Sequence, residues 1–392
     1  MAYIPDAACI AAARAAAGDA LGQQEIIDAF ERVNAYKERL EAAGDPVGRD
    51  ARLRKFAADE AERTKIAAAL ARKHAALNII VRDKLEEHIG YMLKAGMSPR
   101  EAMLAILEGS PKAVRNSRTS IATFRASYAK KFLGGMLREI NTYNPSLVKA
   151  LHDPQLNRDI YTEMHELRQD GTPGITKNKD AQFIAKTFAK YAEAMRVELN
   201  RLGAAIGKLD GWAGVQTHDT IKMLKVSPEV WAARILPKLD IERTFPEGLS
   251  SREALDVLSD IYKTIITGVD RSISPAEKGE RVNPANMAKS LGKSRVLHFK
   301  DANAALAYRD EFGYGTAVDS MINHFSNTSR VAANMRVLGP NPQVMFEAMA
   351  KSLERRIRTT PGIDTAAMDK MTKGLKTDRG ALKHAHDIAT DL

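Results

Sequence analysis

Apolar residues recur along this chain at the spacing of helix faces. From Ile66 the series Leu70, Leu77, Val81, Leu85, Ile89 and Met92 advances by three, four or seven positions with charged residues between, so the apolar side chains share one stripe. That spacing predicts one long amphipathic helix. The series Ile121, Phe124, Tyr128, Phe132, Met136 and Ile140 predicts a second. Alternation at period two, the mark of a half-buried strand, is nearly absent. Arg295 to Phe299 reads as a short β segment, too isolated to build a sheet.

Start and stop signals divide the pattern. Ser98-Pro99-Arg100-Glu101 and Ser274-Pro275-Ala276-Glu277 place Ser at the N-cap, Pro where a missing N–H costs nothing, and Glu where its carboxylate can accept the N-cap amide. Ser250-Ser251-Arg252-Glu253 repeats the box without Pro, and Ser227-Pro228 and Asn341-Pro342 supply two further caps. Gly96, Gly109, Gly313 and Gly339 each follow a helical run in the position that ends it. The expectation is an all-α protein, an elongated multi-helix array with long amphipathic helices and little or no sheet. At least about 60% of residues should be helical, against the usual third. No internal repeat supports a solenoid. Gly, Pro, Asn and Ser collect at 141–145, 171–179 and 272–294. The first and third of these seams give an N-terminal helical region (1–143) with long helices and a basic segment, a central helical domain (144–290) and a C-terminal helical region (291–392).

Composition agrees with a folded helical chain: 44% of the 392 residues are hydrophobic and 28% charged, so a wholly disordered chain is excluded. Aromatics at 6% imply cores of Ala, Leu, Ile, Val and Met. The single cysteine, Cys9, rules out an intramolecular disulfide and, beside Ala7, Ala8 and Ile10, reads as a small buried apolar residue. Met1 to Gly18 lacks the basic leader of a secretory signal. No uncharged run approaches the roughly 20 residues that a membrane-spanning helix needs.

Charge changes the picture more. Lys and Arg outnumber Asp and Glu by 59 to 49, a net charge of +10. Between Ser110 and Ile140 stand Lys112, Arg115, Arg118, Arg125, Lys130, Lys131 and Arg138 against Glu139 alone; seven minus one is +6, more than half of that excess. Such a segment is the candidate nucleic-acid interface, binding phosphates without sequence preference and with strong salt dependence. The competing reading is a solvated helix face neutralised by acids of a neighbouring helix. Lys351, Arg355, Arg356 and Arg358 form a weaker second patch.

Candidate chemistry is sparse. Gly203, Gly207 and Gly211 recur every four residues, and on one helix face they would permit close approach of another helix, within the chain or in an oligomer. His218-Asp219 contains the residue types of an acid–base pair, but Thr217 or Asp219 also suits the N-cap of the helix that follows. Glu163 and Glu166 share a helix face as glycosidase carboxylates can, yet so do many solvated acids. His384, His386 and Asp387 include metal-ligand types, but positions two apart diverge on a helix. Gly292-Lys293-Ser294 ends like a phosphate loop, but Met287 stands where the first glycine is needed; Gly203 to Lys208 is one residue short and is followed by Leu209. No catalytic residue, metal or cofactor is expected.

Two passages carry a family resemblance: Asn200-Arg201-Leu202-Gly203-Ala204-Ala205-Ile206-Gly207-Lys208-Leu209 with Gln216-Thr217-His218-Asp219, and Leu297-His298-Phe299-Lys300-Asp301-Ala302 with Arg336-Val337-Leu338-Gly339-Pro340-Asn341-Pro342. They resemble internal virion proteins of short-tailed bacteriophages, the class ejected with the genome. The resemblance implies a helical homo-oligomer in the virion interior, beside portal or inner-core proteins and double-stranded DNA. It also implies transient contact with the host envelope or periplasm after ejection. Some such proteins carry a transglycosylase domain, but no segment matches one and no catalytic residue is carried over. Two other classes compete: a cell-wall-degrading or DNA-processing enzyme with a site assembled from distant residues, and a non-viral helical nucleic-acid-binding scaffold.

Overall fold

Side chains that cap helices set the architecture. Ser98 closes its box, accepting from the Glu101 amide at 3.2 Å while Glu101 accepts from the Ser98 amide at 2.8 Å. Ser227 accepts from Val230 N. Asp219, one of the two residues expected to cap the helix after it, does so. The sequence pattern did not single out Ser120, Asn144, Asp153, Asn178, Asp240 or Asp301, which cap in the same way, nor Thr316, which forms a box with Asp319. The computed structural model describes residues 7–16, 21–42, 49–110, 120–168, 170–208, 217–245, 251–267 and 297–359, and 81% of them are helical. The fold is all-α.

In order the helices are α1 (Ala7–Ala16), α2 (Gln23–Ala42), α3 (Arg49–Lys94), α4 (Pro99–Leu107), α5 (Ile121–Tyr143), α6 (Pro145–Ala150), α7 (Pro154–Glu166) and α8 (Lys179–Arg201). Then follow α9 (Thr220–Met223), α10 (Pro228–Ile235), a 3-10 turn (Leu236–Lys238), α11 (Ile241–Thr244), α12 (Ser251–Thr267), α13 (Ala302–Phe312), α14 (Ala317–Leu338) and α15 (Pro342–Thr359). The short β segment reduces to one antiparallel bridge, Leu239 with Phe299. The cap at Ser274 lies outside the described residues.

Two units divide the chain at Leu77 and Asn78, within α3. In the first, Leu21, Ile26 and Ala68 are buried together, Tyr36 stacks on Phe56 with ring centroids 4.1 Å apart, and Arg32 pairs with the nearly buried Glu60 at 2.6 Å. Cys9 is exposed on α1, against the expectation of burial, because α1 turns mostly small alanines outward. Ile66, expected on the buried stripe, is 53% exposed.

In the second unit the main core joins Phe132, Met136 and Ile140 of α5, Ile160 and Met164 of α7, Ile184, Phe188 and Met195 of α8, and Met321 and Phe325 of α14. It continues through Trp231, whose ring meets Tyr262, Tyr308 and Phe312 edge-on. This core joins residues from Tyr128 to Met335, and Asn144 ends α5 and caps α6. A second cluster packs Leu85, Ile89 and Met92 of α3 with Ala102 and Ile106 of α4, Leu338 of α14 and Met345 and Met349 of α15.

Candidate nucleic-acid interface

Helix α5 owes its orientation to a buried apolar face, Tyr128, Phe132, Met136 and Ile140, which packs on α14 and α8. Gly135 lies on that face, and a Cβ there would stand 2.7 Å from Cε1 of Tyr191 on α8, so this glycine is what lets the two helices meet so closely. Lys130, Lys131 and Arg138 are exposed. At 100° per residue they fall within a sector about 100° wide. Arg125 is half-buried nearer the core face. Lys112, Arg115 and Arg118 lie outside the described residues.

Neighbouring acids do not neutralise this sector. Glu139 accepts from Lys190 at 2.8 Å, Glu193 pairs with Arg196 at 2.7 Å, and Glu198 pairs with Arg201 at 2.6 Å. Hydrogen bonds from Arg201, then from Tyr128, hold the Glu198 carboxyl at about 2, with a weaker pull from Lys131. The Tyr128 hydroxyl donates to Glu198 at 2.7 Å and is pushed up to about 12, first by burial and then by that bond. Lys130, Lys131, Arg138 and Arg125 have no carboxylate at ion-pair distance among the described residues.

The glycine series is placed differently from its expectation. Gly203 has φ 113° and lies beyond the end of α8: Ala204 N bonds Leu199 O at 3.0 Å and Gly203 N bonds Asn200 O at 3.2 Å, a Schellman closure. The backbone is non-helical from Ala204 to Lys208, and a Cβ on Gly207 would meet nothing within 4 Å. Gly203 and Gly207 therefore share no helix face, and Gly207 meets no other helix of this chain among the described residues; Gly211 lies outside them. The loop is pinned at Ile206, whose carbonyl accepts from Arg196 at 2.7 Å and Asn200 at 2.9 Å.

Other candidate groups have structural work. Glu163 is 1% exposed and accepts the amides of Gly174 (2.6 Å) and Thr176 (2.9 Å), while Glu166 accepts Thr172 N at 2.8 Å, so both carboxylates bind the 171–178 loop to α7. Asp219 caps α9. His218 lies with Nδ1 2.7 Å from the Tyr308 hydroxyl, where burial lowers its pKa to about 4. His384, His386, Asp387 and Gly292 to Ser294 lie outside the described residues. No described helix is long and apolar enough to cross a membrane.

Sequence reasoning missed Gly135, Arg201 and Arg336. The Gly134-Gly135 pair inside an otherwise strong helix pattern was the available signal for the first. Comparison with protein-family models, curated proteins and solved structures gave no match to the chain.

Proposed function

We propose that this chain is a structural helical protein, not an enzyme, that contacts double-stranded DNA without sequence preference through the outward sector of α5. One observation carries the reading: Lys130, Lys131 and Arg138 stand exposed without carboxylate partners, while the acids of α5 and α8 nearest them are engaged by Lys190, Arg196 and Arg201. A helix in this arrangement offers phosphates a row of charges and no base-reading element. The resemblance of the two quoted passages to internal virion proteins supplies the setting. In that setting the protein forms a homo-oligomer in the virion interior, beside portal or inner-core proteins, and passes with the genome into the host envelope.

Titration of the full chain with a duplex of arbitrary sequence at several salt concentrations tests the DNA contact. Replacing Lys130, Lys131 and Arg138 together by Gln should flatten the slope of log affinity against log salt by about two to three units, at roughly 0.9 per phosphate. An unchanged slope with binding intact overturns the interface. Electron microscopy of the purified chain tests assembly, with rings or tubes expected and a uniform monomer as the contrary result.

A further inference from the structure

Phe124, Tyr128 and Lys131 occupy successive turns of one α5 face, and two other helices bring charge to it. From α14, Arg336 lies with its guanidinium carbon 5.6 Å from the centroid of the Phe124 ring, exposed to solvent. One turn along, Glu198 of α8 takes the Tyr128 proton donor and holds Arg201 through Nε at 2.9 Å and Nη2 at 2.6 Å. Lys131 follows on the next turn. Helices α5, α8 and α14 pack against one another pairwise, so this is a true three-helix junction. Its charged groups are Lys131, Arg201, Arg336 and the carboxylate of Glu198, three minus one, or +2. Arg201 balances Glu198, which leaves Lys131 and Arg336 unmatched. Both guanidiniums act on the Tyr128 phenol, offsetting part of its upward shift, so they share one electrostatic neighbourhood.

A guanidinium lying on an aromatic ring is ordered before any ligand arrives, and its in-plane N–H donors face outward as a fork. Such a fork matches two oxygens of a phosphate. Arg336 has no carboxylate partner among the described residues. We propose that Arg336, held over the Phe124 ring, binds a backbone phosphate of duplex DNA, and that with Lys131 it extends the basic face of α5 onto α14. This rests on the DNA-contact reading above and adds a residue 198 positions beyond the end of the basic segment at Arg138, since 336 minus 138 is 198.

The test uses the full chain and a fluorescent duplex of arbitrary sequence, with anisotropy titrations between about 50 and 200 mM salt and thermal melts beside them. Arg336→Gln should lower the salt slope by about 0.9, so that affinity falls about 3.5-fold less over that fourfold salt rise than in the parent chain. Arg336→Lys should keep the slope, because the charge remains, while losing affinity several-fold because an ammonium has no planar fork of donors. A parent-like slope and affinity in a normally melting Arg336→Gln chain overturns the assignment. Should Arg336→Gln melt early, Arg336→Lys decides, and parent affinity in that variant overturns it. The two readings fail in different ways. A parent chain that binds no duplex defeats both; a triple Lys130, Lys131 and Arg138 variant with a flattened slope beside an unaffected Arg336→Gln defeats this one alone.

Discussion

Gly134 and Gly135 are neighbours inside α5 and carry the same intrinsic helix cost of about 1 kcal/mol against Ala, so any difference between them comes from their surroundings. A Cβ on Gly134 would meet nothing closer than the Ala129 carbonyl at 3.8 Å, an ordinary contact. Gly134→Ala should therefore raise stability by about 0.5–1 kcal/mol. A Cβ on Gly135 would stand 2.7 Å from Tyr191 Cε1 and 3.2 Å from both Cζ and the hydroxyl oxygen. Optimal carbon–carbon separation is about 3.5–4.0 Å, so the ring or the helix must move by close to an ångström. Tyr191 cannot turn aside freely, because Glu139, which also holds Lys190, hydrogen-bonds its hydroxyl. Overpacking of this kind costs about 1–3 kcal/mol, which outweighs or cancels the helix gain. Gly135→Ala should melt at or below the parent temperature, and below Gly134→Ala by that same margin. Circular dichroism melts and urea midpoints measure this; midpoints are the proper quantity because two units need not unfold together. In a Tyr191→Ala background the two glycine substitutions should become equivalent, as a double-mutant cycle requires. Equal shifts for Gly134→Ala and Gly135→Ala in the parent chain would refute the close α5–α8 crossing.

His218, held at about 4 against an ordinary 6.5, favours the neutral ring in the folded state, so its contribution is complete above pH 6.5 and fades as pH falls towards 4. The loss is about 3 kcal/mol, and His218→Gln should flatten the melting-temperature profile between those values; a parent-like acid slope in the variant speaks against it. At the end of α8, Gly203→Ala forces a side chain to φ 113° and should cost about 1 kcal/mol or more, whereas Gly207→Ala in open space should be near neutral. Urea midpoints in the reverse order would restore a packing role to Gly207.

Helical class was legible because local signals and long-range burial agree along most of the chain. Ser98 and Glu101 close their box whatever packs against α4, and Leu85, Ile89 and Met92 are both helically spaced and buried. Stops at Gly96, Gly109 and Gly339 were legible since each takes a positive φ that glycine alone adopts easily. Gly313 also stops a helix, for a different reason: its backbone is extended, and a Cβ would come within 2.8 Å of the Arg309 carbonyl. Gly203 and Gly207 misled because a glycine every fourth residue suits a helix face equally with a cap followed by a loop. What decides is where the Ala204 amide finds its acceptor, and the polar–apolar pattern of 203–208 does not encode that. At Asn144-Pro145 the same ambiguity holds, since that pair is as good a helix-to-helix cap as it is a linker.

The basic segment shows the same limit at the level of the site. Its charge is written in consecutive residues, but whether that charge is free depends on partners supplied from elsewhere, and Glu139, the segment's own acid, is taken by Lys190 from α8. Arg336 was invisible for the complementary reason: in sequence it is one cation near the end of a helix, and only the packing of α14 on α5 sets it over Phe124. An aromatic residue four positions before Tyr128 reads as core in any pattern, yet its ring serves here as the platform on which a cation from another helix is held. Counting charges along the chain therefore finds the contiguous half of the proposed interface, and misses the half whose position is set by tertiary packing.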